Sequence, residues 1–317
     1  MGGKVTRTLF KKSRPENTRV RGELVRRLQR ALTDKGFSVG TVDGIFGGDT
    51  EKAVKAWQSK NLLNEDGIVT FDSWVEITDK PAPTWRDRAL QLTADFEGTG
   101  FGKIVGNFDG AWLTWGIVGF TLKHGELGTI IKRLKSDHPA VLQNAFGQRL
   151  ATLLEVVDAT PAKKEEFANS ISLGQDRYKV MPEWAACFAR LGETPEAQAV
   201  QMERVNGYLD RGEKDAKRFG LASELGLALC FDIAVQNGGI DFDSEENSIR
   251  QRLKQNPANG EIDIRLVVSE VIAENSSPKY ANDVRSRKRA ISTGAGTVHG
   301  AAYDVGEWGL AEAPATA

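Results

Sequence analysis

Leu24, Leu28 and Leu32 recur every four residues, with Arg26, Arg27 and Arg30 between them. That spacing puts the leucines on one face of a helix and turns the arginines away from it. Gly36 supplies a C-terminal stop. A second helix follows, with Asp49 or Thr50 as its N-cap and Ala53, Val54 and Trp57 on its apolar face. Asp43-Gly44 and Asp66-Gly67 mark turns. Asp72 or Ser73 opens a last helical turn bearing Trp74. Trp85, Ala89, Leu92 and Phe96 make a further helical stripe, which Gly98 and Gly100 close. Residues 107–120 are aromatic, β-branched and glycine-containing, and predict short strands or a hairpin. From Leu225 to Val235 only Gly226 and Asp232 break an apolar run, the signature of a helix buried on all sides. The glycine-rich stretch 294–310 reads as packing and loop, with His299 structural, because it lacks the setting of a phosphate loop.

The prolines within Thr78–Thr84 predict an extended linker at 80–84 between a small domain at 15–79 and a larger one at 85–317. The whole reads as mainly α. A chain of 317 residues, 40% hydrophobic and 27% charged, fits two globular domains and excludes wholesale disorder. The net charge of −1 argues against nucleic acid as a partner. Charge is uneven, however. Residues 1–35 hold eleven Lys or Arg and three acids, a net +8, either a solvated arm or a patch for an anionic surface. Cys187 and Cys230 cannot build a disulfide framework, and three scattered histidines leave no metal site in prospect. No cofactor is expected. No apolar run of about 18 residues predicts a membrane span. The basic N-terminus lacks the apolar core of a secretory signal. The expectation is a monomer made in the cytoplasm without a signal peptide, reaching its target by another device, with a frayed C-terminal AEAPATA.

The order Leu28-Gln29, Gly36, Asp43-Gly44-Ile45-Phe46-Gly47, Thr50, Ala53-Val54, Trp57-Gln58, Leu63, Asp66-Gly67 and Trp74 resembles the three-helix peptidoglycan-binding domain of bacterial and phage cell-wall enzymes. Trp57 stands where that family usually has Phe. The resemblance implies binding of glycan strands or stem peptides by this module, with Asp43, Phe46, Trp57 and Gln58 as its wall-binding candidates. A short linker to such a module raises the local concentration of a polymeric substrate.

Glu97 falls at the C-terminal end of the Trp85–Phe96 stripe, beside an apolar residue. The negative end of the helix and partial burial both favour its protonated form, which suits a general acid. Asp109, on the polar Asp109-Gly110 turn, is expected to stay ionised. A protonated Glu and an ionised Asp across a groove are the minimum for glycoside hydrolysis. Trp112 and Trp115 offer apolar faces for sugar rings or fill the core.

Glu97, a short loop, Asp109-Gly110, Thr114 and Gly116-Ile117-Val118-Gly119-Phe120 resemble the chitosanases of glycoside hydrolase family 46, and more loosely the Glu, Asp, Thr arrangement of phage-type lysozymes. The resemblance implies a two-lobed lysozyme-like fold with a small β-hairpin. It makes Glu97 the general acid, Asp109 the general base and Thr114 the residue that places water. The loop between Glu97 and Asp109 is shorter than in that family, which leaves groove width and stereochemical outcome open. Inversion needs carboxyls roughly 6.5–9.5 Å apart and retention about 5–5.5 Å.

Asp232 lies inside the apolar helix and needs a cationic or hydrogen-bonding partner. Arg285, Arg287 and Arg289 are candidates. Phe231-Asp232 and Val235-Gln236-Asn237-Gly238 match a segment that the chitosanase family links through arginines to its acid. On that resemblance Asp232 and Arg287 orient Glu97, and Gln236 joins the substrate contacts. The alternative is a structural ion pair distant from the groove.

The combined expectation is a peptidoglycan hydrolase of muramidase type, acting on glycan strands as a phage endolysin or as a wall-attacking effector exported by a dedicated machine. Zinc amidases and Cys–His peptidases fit poorly for lack of ligands and of a setting that stabilises a thiolate. A true chitosanase, a lytic transglycosylase and a non-catalytic wall-binding structural protein remain as alternatives.

Overall fold

A computed structural model describes residues 7–98 and 100–315. The leucine stripe forms the helix Glu23–Asp34, with Leu28 and Leu32 fully buried. It ends as expected at Gly36, whose φ of +88° admits the left-handed turn in which the Phe37 N–H reaches the Leu32 carbonyl at 2.8 Å. The second helix, Gly48–Lys60, starts before the expected caps: Gly47 is its N-cap. Thr50 instead hydroxyl-bonds the Ile45 carbonyl at 3.2 Å and accepts from Gln29 Nε2 at 3.0 Å, tying the preceding turn to the first helix. The third helix, Phe71–Thr78, is capped by Thr70 and Ser73 reciprocally, so Ser73 closes a capping box and Asp72 lies within the first turn.

The chain divides into two compact units, and the division does not fall at 80–84. One unit takes in the described residues of 1–96 together with 208–317, and the other takes in 97–207. The first unit holds the three-helix module and the helices Trp85–Phe96, Glu224–Asn237, Glu245–Gln255, Glu261–Asn275 and Ala281–Thr293, followed by the hairpin Ala295–Val298 and Ala301–Asp304. The second holds a three-stranded antiparallel sheet, the helices Glu126–Asp137, Pro139–Phe146, Leu150–Asp158, Pro161–Ile171 and Pro182–Gly192, and the small hairpin Ser172–Leu173 with Lys179–Val180. Among the described residues no helix is long and apolar enough to cross a membrane.

Within the first unit the module is docked, not hung on a spacer. The N–H of Leu24, unpaired at its helix start, donates to Gln91 Oε1 on Trp85–Phe96 at 2.9 Å. The Thr18 N–H donates to the Ala302 carbonyl at 2.7 Å. Glu224, 2% exposed, receives Arg88 through two bonds of 2.7 and 2.8 Å and Arg7 at 2.7 Å. Both guanidiniums also reach the Gly309 carbonyl and lie over the Phe71 ring at 5.0 and 5.4 Å. Burial alone would raise the Glu224 carboxyl, and its two arginines instead hold it below the ordinary range.

The N-terminal segment is accordingly no free arm from residue 7 onward. Thr8–Phe10 pairs with Val69–Thr70, Arg21 pairs with Asp95, and Lys12 with Glu51 at 3.1 Å. Residues 1–6 of the basic stretch lie outside the described residues. The C-terminal segment is likewise held through residue 315, where the Ala315 N–H donates to the Ala222 carbonyl at 3.2 Å, while Arg265 pairs with Glu312. The expectation of a frayed tail is corrected by these contacts through residue 315.

Glu224→Gln leaves Arg88 buried with its charge uncompensated. Urea unfolding should show a loss of about 3–5 kcal/mol. The fluorescence of Trp57 and Trp74 and the far-ultraviolet circular dichroism should fall in one transition, because the module and the C-terminal helices share this contact.

Candidate active site

The second unit begins at Glu97, the residue after the helix Trp85–Phe96. Its sheet orders Ile104–Val105, Thr114–Trp115 and Phe120–Thr121, with Thr114 opposite Val105 on one side and Thr121 on the other. Gly119 turns the chain between the last two strands at φ +74°. A Cβ there would stand 3.1 Å from Thr114 Cγ2 and 3.8 Å from Glu97 Oε2. The half-buried Glu97 carboxylate and the Thr114 side chain thus converge on one glycine that leaves space beside them.

Asp109 sits on the loop joining the first two strands, exposed, with Oδ1 accepting the Ala111 N–H at 2.9 Å. Asn107 pins that loop. Its Oδ1 accepts the Trp112 N–H at 3.0 Å, its Nδ2 donates to Asn169 Oδ1 at 2.8 Å, and its N–H donates to Ser172 Oγ at 2.9 Å.

Trp112 and Trp115 are 8% and 0% exposed, and the Trp115 indole donates to the Phe188 carbonyl at 3.3 Å. The expectation that they present faces to sugar rings is corrected: a short sheet needs an apolar face, and these rings supply it. Among the described residues of the second unit, the exposed aromatics are Phe108, at 48%, and Tyr178, at 39%. Sequence reading passed over both. Phe108 directly precedes the Asp109-Gly110 turn, a position that projects outward. Tyr178 carried no such local signal, because only the pairing of the Gly106 N–H with the Tyr178 carbonyl, at 2.8 Å, brings it to this loop.

In the first unit Asp232 and Arg287 do meet. The Arg287 Nε donates to both carboxylate oxygens, at 2.9 and 3.0 Å, and Nη2 to Oδ1 at 2.7 Å. Thr93 Oγ1 adds a bond of 2.9 Å, and Lys288 Nζ lies 2.5 Å from Oδ2. Lys288 was missed, since sequence alone ranks the arginines beside it equally. Burial would raise the Asp232 carboxyl, but Arg287 and Lys288 outweigh it and hold it at about 2. Arg285 instead serves Glu270, at 2.9 Å. Gln236 is engaged within the same cluster, accepting from Lys288 at 2.7 Å and donating to Asp283 at 3.1 Å. His299 pairs with Asp283 at 2.7 Å. Cys230 is fully buried, which pushes its thiol up and away from thiolate chemistry.

In the module, Phe46 and Gln58 are buried scaffold: Gln58 bonds Asp66, the Ile68 carbonyl and the Gly67 N–H. Asp43 serves the turn, bonding Gln29 and the Ile45 N–H. Trp57, 4% exposed, borders a groove of about 450 Å³ lined also by Lys35, Phe37, Lys60, Asn61 and Glu76.

Residues 21–75 match the family model of a putative peptidoglycan binding domain. The chain is also similar to a family 46 chitosanase of Gynuella sunshinyii in complex with chitotetraose, at 16% identity over 71% of this chain and 98% of that one, with a TM-score of 0.49. A mutant chitosanase from Bacillus subtilis complexed with six GlcN is similar at 20% identity, 66% and 88% coverage and a TM-score of 0.47.

The depressed Asp232 carboxyl carries a pH signature. Its stabilisation is complete above the unfolded value of about 3.9 and is lost as pH falls towards 2. Asp232→Asn should lower the melting temperature at neutral pH and flatten this acid limb in a series of thermal melts.

Proposed function

We propose that the chain is a cell-wall glycoside hydrolase that cuts a β-1,4 bond of peptidoglycan glycan strands, in the manner of a muramidase. The observation that carries the reading is the convergence of Glu97 and Thr114 on Gly119, with Asp109 on the adjoining loop of the same sheet. In this scheme Glu97 protonates the leaving glycosidic oxygen. Asp109 takes a proton from the water that attacks the anomeric carbon, and Thr114 holds that water. The choice of polymer draws support from the peptidoglycan-binding match at 21–75.

Asp232 and Arg287 act here as positioning residues. The Arg287 guanidinium lies 5.2 Å over the Phe96 ring, and Phe96 is the chain neighbour of Glu97. A phage endolysin is the setting we favour for such a combination of module and hydrolase.

Purified peptidoglycan and chitosan are digested with wild type, Glu97→Gln and Asp109→Asn, and products are read by mass spectrometry. Wild type should release reducing N-acetylmuramic acid ends, and each variant should be slower by about 10²–10⁴-fold. Anhydro ends would make the chain a transglycosylase. Reducing N-acetylglucosamine ends would make it a glucosaminidase, and cleavage of chitosan alone a chitosanase. Cleaved peptides, or full activity in both variants, would overturn the assignment of chemistry.

A further inference from the structure

We infer that Phe108, Tyr178 and Lys103 form a sugar subsite beside Asp109 that selects an acidic glycan over a cationic one, an inference that rests on the glycan-hydrolase reading above. Single exposed rings are ordinary on protein surfaces. Here two such rings meet edge to face with centroids 5.2 Å apart, and one of them adjoins the proposed base. Ring faces of this kind pack against the apolar C–H face of a pyranose, and the polar edge of Tyr178 leaves a hydroxyl for the sugar's rim.

Lys103 completes the patch. Its Nζ lies 5.8 Å over the Tyr178 ring and donates to the carbonyl of Gly98, the residue after Glu97. Contacts therefore run without a gap from Glu97-Gly98 through Lys103 and Tyr178 to Phe108-Asp109. A sugar on the rings is bordered by both carboxylate-bearing segments.

Charge then sets the preference. An ammonium has three donors, and the Gly98 carbonyl takes one. Among the described residues Lys103 has no carboxylate partner, and Arg177 and Lys179 flank Tyr178 in the chain. The Arg177 guanidinium is directed to Asn169 Oδ1 at 2.8 Å. A carboxylate borne on the sugar, as on a muramyl residue, gains a charge-assisted hydrogen bond from Lys103. A protonated amino sugar in the same seat meets the like charge of Lys103 over the Tyr178 ring, while Asp109 and Asp176 stand on the flanking segments.

The full chain carrying Glu97→Gln keeps ligands uncleaved for isothermal titration. Three soluble tetrasaccharides serve as probes: alternating N-acetylglucosamine and N-acetylmuramic acid without peptide, N-acetylglucosamine alone, and glucosamine at a pH where its amines are protonated. The acidic probe should bind tightest and the cationic one weakest. Phe108→Ala and Tyr178→Ala should each weaken the acidic and neutral probes about fivefold to tenfold. Both rings are exposed, so neither truncation opens the core, and thermal melts check this. Lys103→Glu should reverse the order of acidic and cationic probes, with an effect that fades as salt is added. Tightest binding of the cationic probe before that change would overturn the inference. So would unaltered affinity in both ring variants, or an unaltered order in Lys103→Glu. Persistent cleavage by Glu97→Gln would instead count against the catalytic scheme, and a digest rather than a titration reads that.

Discussion

The carboxylate of Glu224 is nearly closed to water, and an ion in that setting loses solvation worth several kcal/mol unless charge is returned to it. Arg7 and Arg88 return it from two directions, and both continue to the carbonyl of Gly309. The residue before the first strand, a helix just past the prolines at 81 and 83, a helix starting at residue 224 and the segment near 309 therefore meet at one group. Phe71, from the last helix of the module, lies beneath both guanidiniums. Ion pairs of this kind contribute less to net stability than they cost when half is removed. Their effect is to make one arrangement of these segments acceptable and others expensive.

How much of this could be read from the chain depended on whether the signal was local. The leucine stripe of Glu23–Asp34, the stop at Gly36, the stripe of Trp85–Phe96 and the burial of Asp232 all follow from spacing within a few turns, and all stand in the structure. The expected N-cap at Asp49 or Thr50 failed because Thr50 is drawn to Gln29, a partner in another element. Two prolines extend the chain before Trp85–Phe96, but whether the pieces on either side touch is decided by pairs such as Leu24 with Gln91, Arg21 with Asp95 and Arg88 with Glu224, whose members lie far apart in sequence. At the candidate site, residue order singles out Glu97, Asp109 and Thr114, and the structure sets Glu97 and Thr114 beside Gly119. The tryptophans, read as either sugar faces or core, belong to the core: exposure depends on which face of a very short sheet is covered, and Phe188 packs against Trp115.

The two buried acids of the first unit show one solution at two places. Asp232 and Glu224 each lie on the helix Glu224–Asn237, and each draws two cations from other elements. That helix is apolar nearly all round, so its polar contacts are concentrated at these positions. Apolar packing places the helix, and the acids fix its rotation and register, because a quarter turn would leave both without partners.

Gly106 has no room for a side chain. An added Cβ would lie 2.3 Å from the Arg177 carbonyl oxygen and 2.5 Å from Ser172 Oγ. Any larger residue there must push the hairpin bearing Tyr178 away from the loop bearing Phe108. The rim thus has unequal mutational freedom: the exposed positions 108 and 178 can be diversified, whereas position 106 is a fixed backbone seam that a library built on this scaffold must leave untouched.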